Sequence, residues 1–166
     1  RRFVAQSFTG WPNARTGAAV KTEEDPLDLD PPTGIRQTLA AIRYVESAVT
    51  HSAAPAGLVL RYGAFYGPGT SVAPGGDIVE LVRKRKFPLV GGGTGVWSFI
   101  HIEDAAAATA AAVERGAPGR YNIVDDDPAP VSDWLPALAA AAGAKPPMRL
   151  PTWVGRLAAG EIAVNL

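Results

Sequence analysis

Few side chains in this sequence are equipped for chemistry, and their spacing narrows the choice further. Ser7 closes the apolar run "FVAQS" and carries a hydroxyl that can donate or accept a hydrogen bond at a strand's end. Glu23, Glu24 and Asp25 form one loop charge run, and Asp125, Asp126 and Asp127 another. Neither has a second ligand cluster beside it, so both read as solvated turns rather than metal sites. His51 stands at a helix end, and His101 alternates with Ile100 and Ile102. No G-x-S-x-G elbow is present, and spacing assembles no Ser/His/Asp triad. The chain has no cysteine, which excludes disulfides, thiolate metal sites and cysteine nucleophiles. "GPGTS" at residues 67–71 and "GGGTG" at 91–95 lack the strand–G-x-G-x-x-G–helix order of a phosphate loop, so both read as turns.

The elements that must position these groups follow from periodicity. Residues 3–5 read as a buried strand, followed by a long Pro-rich polar loop over 12–34, of a length that is usually functional or mobile. Leu39, Ile42, Val45, Ala48 and Val49 recur at helical spacing and predict a helix over 35–50. "GLVLRYG" at 57–63 is a short apolar strand, and Asp77 opens or caps a helix whose apolar face is Ile78, Val79, Leu81 and Val82. "FPLV" and "VWSFIHI" predict two strands around the glycine turn. A helix then starts at Glu103 and Asp104 and ends before Gly116. "RYNIV" is a further strand, "DDDPAP" a turn, and "VSDWLPALAAAAG" a helix with Ser132 as its N-cap and Pro136 in its first turn. The order β–α–β–α–β–β–α–β–α, with continuously apolar strands, indicates a parallel α/β sheet. Such sheets bind ligands beyond the carboxyl ends of their strands, so residues 7–11 and 62–66 are expected to line one crevice.

Composition sets the outer limits. With 166 residues and 47% hydrophobic content, a packed core is expected. Sixteen basic and sixteen acidic residues cancel, so no global field favours nucleic acid or an anionic membrane. "RKRK" at 83–86 reads as a solvated helix face. No apolar run approaches the ~18–20 residues of a membrane span, and the opening "RR" precedes no signal-type apolar stretch. Cytoplasmic location is the expectation.

Four stretches resemble the extended short-chain dehydrogenase/reductases, the NAD-dependent epimerase/dehydratase superfamily. "RRFVAQSFTGW" is similar to the strand that ends in Ser or Thr four residues before an aromatic. "LVLRYGAFYGPGT" is similar to L-R-x-x-x-x-Y-G-P-G, the most specific of the four. "GGGTGVWSFIHIEDAAAA" and "RYNIVDDDPAPVSDWLPALAAAAG" are similar to the segments that follow in the family's order. The resemblance begins halfway through the family's sheet and implies a partial Rossmann-like fold, an α/β parallel sheet made of its later strands plus a small α/β substrate-binding lobe. It assigns residues 1–72 and 103–127 to the dinucleotide-binding domain, and 73–102 and 128–166 to the substrate lobe. Residues 3–6 are then expected to lie deep in a sheet whose other strands are encoded upstream.

The resemblance also implies roles. Ser7 matches the hydroxyl that hydrogen-bonds the substrate's reacting oxygen, and Thr9 and Trp11 would face the substrate. Tyr62 and Gly63 match the segment whose backbone passes the nicotinamide of NAD or NADP, while Arg61, Tyr66 and Asp104 read as structural. Because the glycine-rich phosphate loop has no counterpart, this chain alone is expected to bind the cofactor weakly or not at all.

Three departures bear on activity. Alignment through Glu46 puts Thr38 and Ile42 where the family carries Tyr and Lys of Tyr-x-x-x-Lys, so the usual proton donor is missing. Ala64 stands where sugar-nucleotide enzymes carry an Asn that contacts substrate. Trp97 stands near their diphosphate-gripping Arg, exchanging an anion clamp for an apolar stacking surface. The expected substrate is a small, non-nucleotide carbonyl or hydroxyl compound, with Trp11, Phe65 and Trp97 lining an apolar pocket. The resemblance thus implies an NAD(P)-dependent oxidoreductase, epimerase or dehydratase-like enzyme, and two other readings stand beside it: a non-catalytic cofactor-binding or regulatory module, and a structural partner whose sheet is completed by a second copy or a companion chain.

Overall fold

The computed structural model describes the chain apart from Trp11, Arg15, Ala19, residues 52–55 and 160–166, and the side chains at 156, 158 and 159. Its main sheet has three parallel strands, in the spatial order β1 (Arg2–Phe8), β2 (Ala56–Tyr62) and β7 (Gly119–Ile123). The central strand is the most apolar and lies almost wholly buried, as expected of a strand covered on both faces.

Register sorts side chains onto those two faces. Val4, Leu58, Leu60 and Tyr62 turn toward α3 (Ile102–Arg115) and form one core with Ile100, Ala105 and Ala112. Ser7, which pairs with Arg61, turns to the other face, against α1 (Arg36–Thr50), where Leu39, Glu46 and Val49 are buried. The predicted helix over 35–50 therefore forms, entered through a 3₁₀ turn at Thr33–Ile35.

The chain also has a second core. It is built from α2 (Asp77–Arg83), α4 (Val131–Ala141) and three two-residue strands, β4 (Leu89–Val90), β5 (Val96–Trp97) and β8 (Ala129–Pro130). Val82, Leu89, Val131, Leu135 and Ala139 are its buried members. β4 pairs with β9 (Arg149–Leu150), which precedes α5 (Thr152–Ala159), and β5 pairs with β8. β3 (Ala64–Tyr66) and β6 (Phe99–His101) form a parallel pair of their own.

Several expectations need correction. Residues 3–5 are not fully buried within this chain: β1 is an edge of the described sheet, paired there with β2 alone, and Phe3 is 52% exposed. "VWSFIHI" is not one strand: the Ser98 carbonyl accepts the Ala64 N–H at 2.9 Å, and the chain breaks there into β5 and β6. Leu81 faces solvent rather than the core. The N-cap of α4 is Pro130, which leaves Ser132 inside the helix and Pro136 beyond its first turn. Described residues of the loop over 12–34 are tied down by hydrogen bonds. The Pro12 carbonyl accepts from the Asp28 N–H and the Pro26 carbonyl from the Ala14 N–H, and Glu23 Oε1 accepts the Asn122 N–H of β7 at 2.7 Å.

Candidate functional site

Ser7 lies at the carboxyl end of β1, and its fate is set by one residue of α1. Its Oγ–H donates to Glu46 Oε1 at 2.7 Å. The same carboxylate receives Arg61 Nε–H on Oε1 at 2.8 Å and Arg61 Nη2–H on Oε2 at 2.6 Å, a bidentate pair with both partners almost fully buried. Burial alone would push the Glu46 carboxyl up. Hydrogen bonds from Arg61 and Ser7 and the charges of Arg61 and Arg120 outweigh it, so the carboxyl sits below its ordinary value and is ionised at neutral pH. Arg61 Nη1 is buried without an acceptor among the described residues.

The ends of β1 and β2 do meet, as their parallel register requires. The Tyr62 carbonyl accepts the Thr9 N–H at 3.1 Å and the Thr9 hydroxyl at 3.2 Å. The side chains of Ser7 and Tyr62, however, lie on opposite faces of the sheet. The Tyr62 hydroxyl hydrogen-bonds that of Thr109 on α3, and its ring packs against Phe65 with centroids 5.4 Å apart. Gly63 is a glycine for packing reasons, since an added Cβ would lie 2.7 Å from the Ser98 carbonyl oxygen. Ala64 pairs with Phe99 in the β3–β6 ladder. Trp11 lies outside the described residues.

Trp97 belongs to the second core. It packs on Trp134 at 5.0 Å and Phe99 at 6.0 Å between centroids, with Phe87 on the far side of Trp134 at 5.9 Å. The sequence signal for this cluster was partial, because Trp134 reads simply as one apolar position of a helix. His101 caps α3 by accepting the Glu103 N–H, and its ring meets the edge of Tyr66. A hydrogen bond from Tyr66 to Asp125, then burial and the charges of Asp125 and Asp104, hold the Tyr66 phenol protonated above its usual range.

Glu46 is the residue that sequence reasoning passed over. Its signal was available: it falls seven residues after Leu39 and three before Val49, on the apolar stripe of its helix. Arg61, inside an otherwise apolar strand, asks for such a partner.

No group of three or more His, Cys, Asp or Glu side chains among the described residues is placed to hold a metal ion. Nor do those residues supply a phosphate cradle. Gly91 and Gly93 have positive φ but abut Thr152, Ser132 and Leu89, and the turn leads into β5 rather than into a helix.

The NAD dependent epimerase/dehydratase family matches residues 21–124. A 3-diazoavenalumate denitrifying reductase of Streptomyces sp is 46% identical over 152 residues, covering 91% of this chain and 49% of that protein. Among solved structures, the human epimerase family protein SDR39U1 with NADPH superposes with a TM-score of 0.72 at 22% identity, over 99% of this chain and 54% of that one. The UDP-glucose 4-epimerase of Thermus thermophilus with NAD gives 0.65 at 25% identity, over 90% and 51%. A Rossmann-like parallel α/β protein is thus the class defined by the fold. The chain belongs to the NAD dependent epimerase/dehydratase family, and it spans about half the length of the relatives it matches.

Proposed function

We propose that this chain is the later half of a nicotinamide-dependent reductase acting on a small, non-nucleotide molecule whose reducible group needs no proton from a side chain. What supports this is the resemblance of α1 to the family's acid–base helix, read through Glu46, which sets Thr38 and Ile42 at the positions of the phenol and the ammonium. Reduction of a carbonyl builds an alkoxide that must be protonated, which is the task of that missing pair. A diazonium group is different: gain of a hydride gives a neutral diazene, which releases dinitrogen and leaves a C–H bond. The denitrifying reductase to which this chain is similar acts on a diazo compound by its name, and the same class of substrate suits this site.

Ser7 and Thr9 are read here as substrate contacts, and Ala64, Phe65 and Trp97, with Trp11, as the apolar wall. Tyr62 and Gly63 pass the nicotinamide through their backbone. NAD or NADP is the cofactor of this reading, supplies hydride when bound, and is held mainly by residues outside this chain. Residues 1–72 and 103–127 make the cofactor side and 73–102 and 128–166 the substrate lobe; the two cores support this division except at Ile100, which packs in the first. No helix among the described residues is long and apolar enough to cross a membrane. The proposal includes a cytoplasmic location. The test is anaerobic incubation of the full-length protein with NADH or NADPH and a benzenediazonium salt. Oxidation of the nicotinamide with matching release of dinitrogen is expected; turnover of a nucleotide sugar instead, or of neither, overturns the proposal.

A further inference from the structure

We infer that the two hydroxyls at the end of β1 offer lone pairs rather than protons to a ligand, so that this end of the site selects a substrate bearing a hydrogen-bond donor, a hydroxyl or N–H group. The inference rests on the reading above only in taking Ser7 and Thr9 to face the substrate. Its ground is where their protons go. Glu46 receives Arg61 on both oxygens, at 2.8 and 2.6 Å, and a carboxylate so engaged can only accept. The contact of 2.7 Å between Ser7 Oγ and Glu46 Oε1 is therefore a donation by the serine. The Thr9 hydroxyl likewise meets the Tyr62 carbonyl oxygen at 3.2 Å, another group that can only accept.

Each hydroxyl has one proton, and each proton is committed within the protein. What remains on both oxygens is acceptor capacity. A substrate carbonyl or developing oxyanion placed against them would meet lone pairs. For Ser7 to turn its proton outward, it would have to abandon a charge-assisted bond inside the core. A hydroxyl or N–H on the substrate meets a ready acceptor whose orientation is already fixed. Glu46 is thus a positioning residue: it touches no ligand but decides which end of the Ser7 hydroxyl the ligand sees. This polarity is opposite to the oxyanion role that the sequence resemblance assigns to Ser7, and it follows from the buried ion pair behind the strand.

The test is equilibrium binding of β-naphthol and of its methyl ether to the full-length protein, followed by quenching of tryptophan fluorescence. The naphthol is expected to bind about tenfold more tightly than the ether. Ser7→Ala should bring the naphthol down to the affinity of the ether and leave the ether unchanged. Ser7→Cys, which fills the space but accepts poorly, should do the same, so a fault of folding in one variant does not decide the outcome. Equal affinities, no measurable naphthol binding, or a preference that survives both substitutions would overturn the inference. So would tighter binding of a naphthyl ketone that is lost in Ser7→Ala. Because no turnover is measured, this result stands or falls separately from the reductase assay.

Discussion

Glu46 and Arg61 are each tolerable in the interior only because the other is present. Their side chains are 3% and 1% exposed, and Ser7 completes the set of donors around the carboxylate. Removing one partner leaves an uncompensated buried charge, so Glu46→Ala is expected to destabilise the fold by about 3–5 kcal/mol, measured by urea unfolding. The double replacement Glu46→Leu with Arg61→Met removes both charges and should recover most of that loss. Acid should act on the same pair. The Glu46 carboxyl is depressed below its ordinary 4.5, so its contribution is present above that value and is lost as pH falls through the lower folded-state value. The double variant should lack that part of the acid-induced loss of stability. Unfolding curves at stepped pH for the two proteins would show the difference.

Among the elements, the close approach of α1 to β2 is the tightest constraint. A Cβ on Gly57 would lie 2.1 Å from the Val49 carbonyl oxygen, backbone against backbone. Gly57→Ala should therefore lower stability by about 1–3 kcal/mol or more, whereas Gly92→Ala, whose nearest neighbour would be the Thr94 methyl group at 3.4 Å, should barely move the melting temperature. Long periodic elements were legible in the sequence: α1 from its apolar stripe, β2 from its unbroken apolar run, α3 from acids at its start and glycine past its end. The start of α4 was not. Its first N–H groups are satisfied by the Gly95 carbonyl at 2.8 Å and the Gly93 carbonyl at 2.9 Å, so no capping side chain is needed and Ser132 can sit inside. β4, β5, β8 and β9 are two residues each, too short to leave a period, and exist because of tertiary pairing.

Over the molecule as a whole, the open side of β1 is the feature most at odds with an isolated domain. The Thr9 N–H reaches the Tyr62 carbonyl and the Arg1 carbonyl accepts from Ala56, so in a parallel ladder the odd-numbered residues of β1 bond to β2 and Val4 and Gln6 direct their amides outward. In the 166-residue chain, Val4 and Gln6 should exchange their amide protons much faster than Leu58 and Leu60. In a protein that supplies the next strand, they should slow to match them. The site was legible in part: Ser7, Tyr62 and Gly63 could be placed at strand ends, but which face each served, and the ion pair behind Ser7, required the register.

The proposed reduction draws no proton from a side chain in α1. The pH dependence of kcat/KM near neutrality bears on this at once, for the full-length protein and a diazonium substrate that has no titrating group of its own. A flat profile is expected, and Thr38→Val and Ile42→Leu should leave it unchanged. A limb set by a single enzyme group, or a rate that depends on Thr38, would refute it.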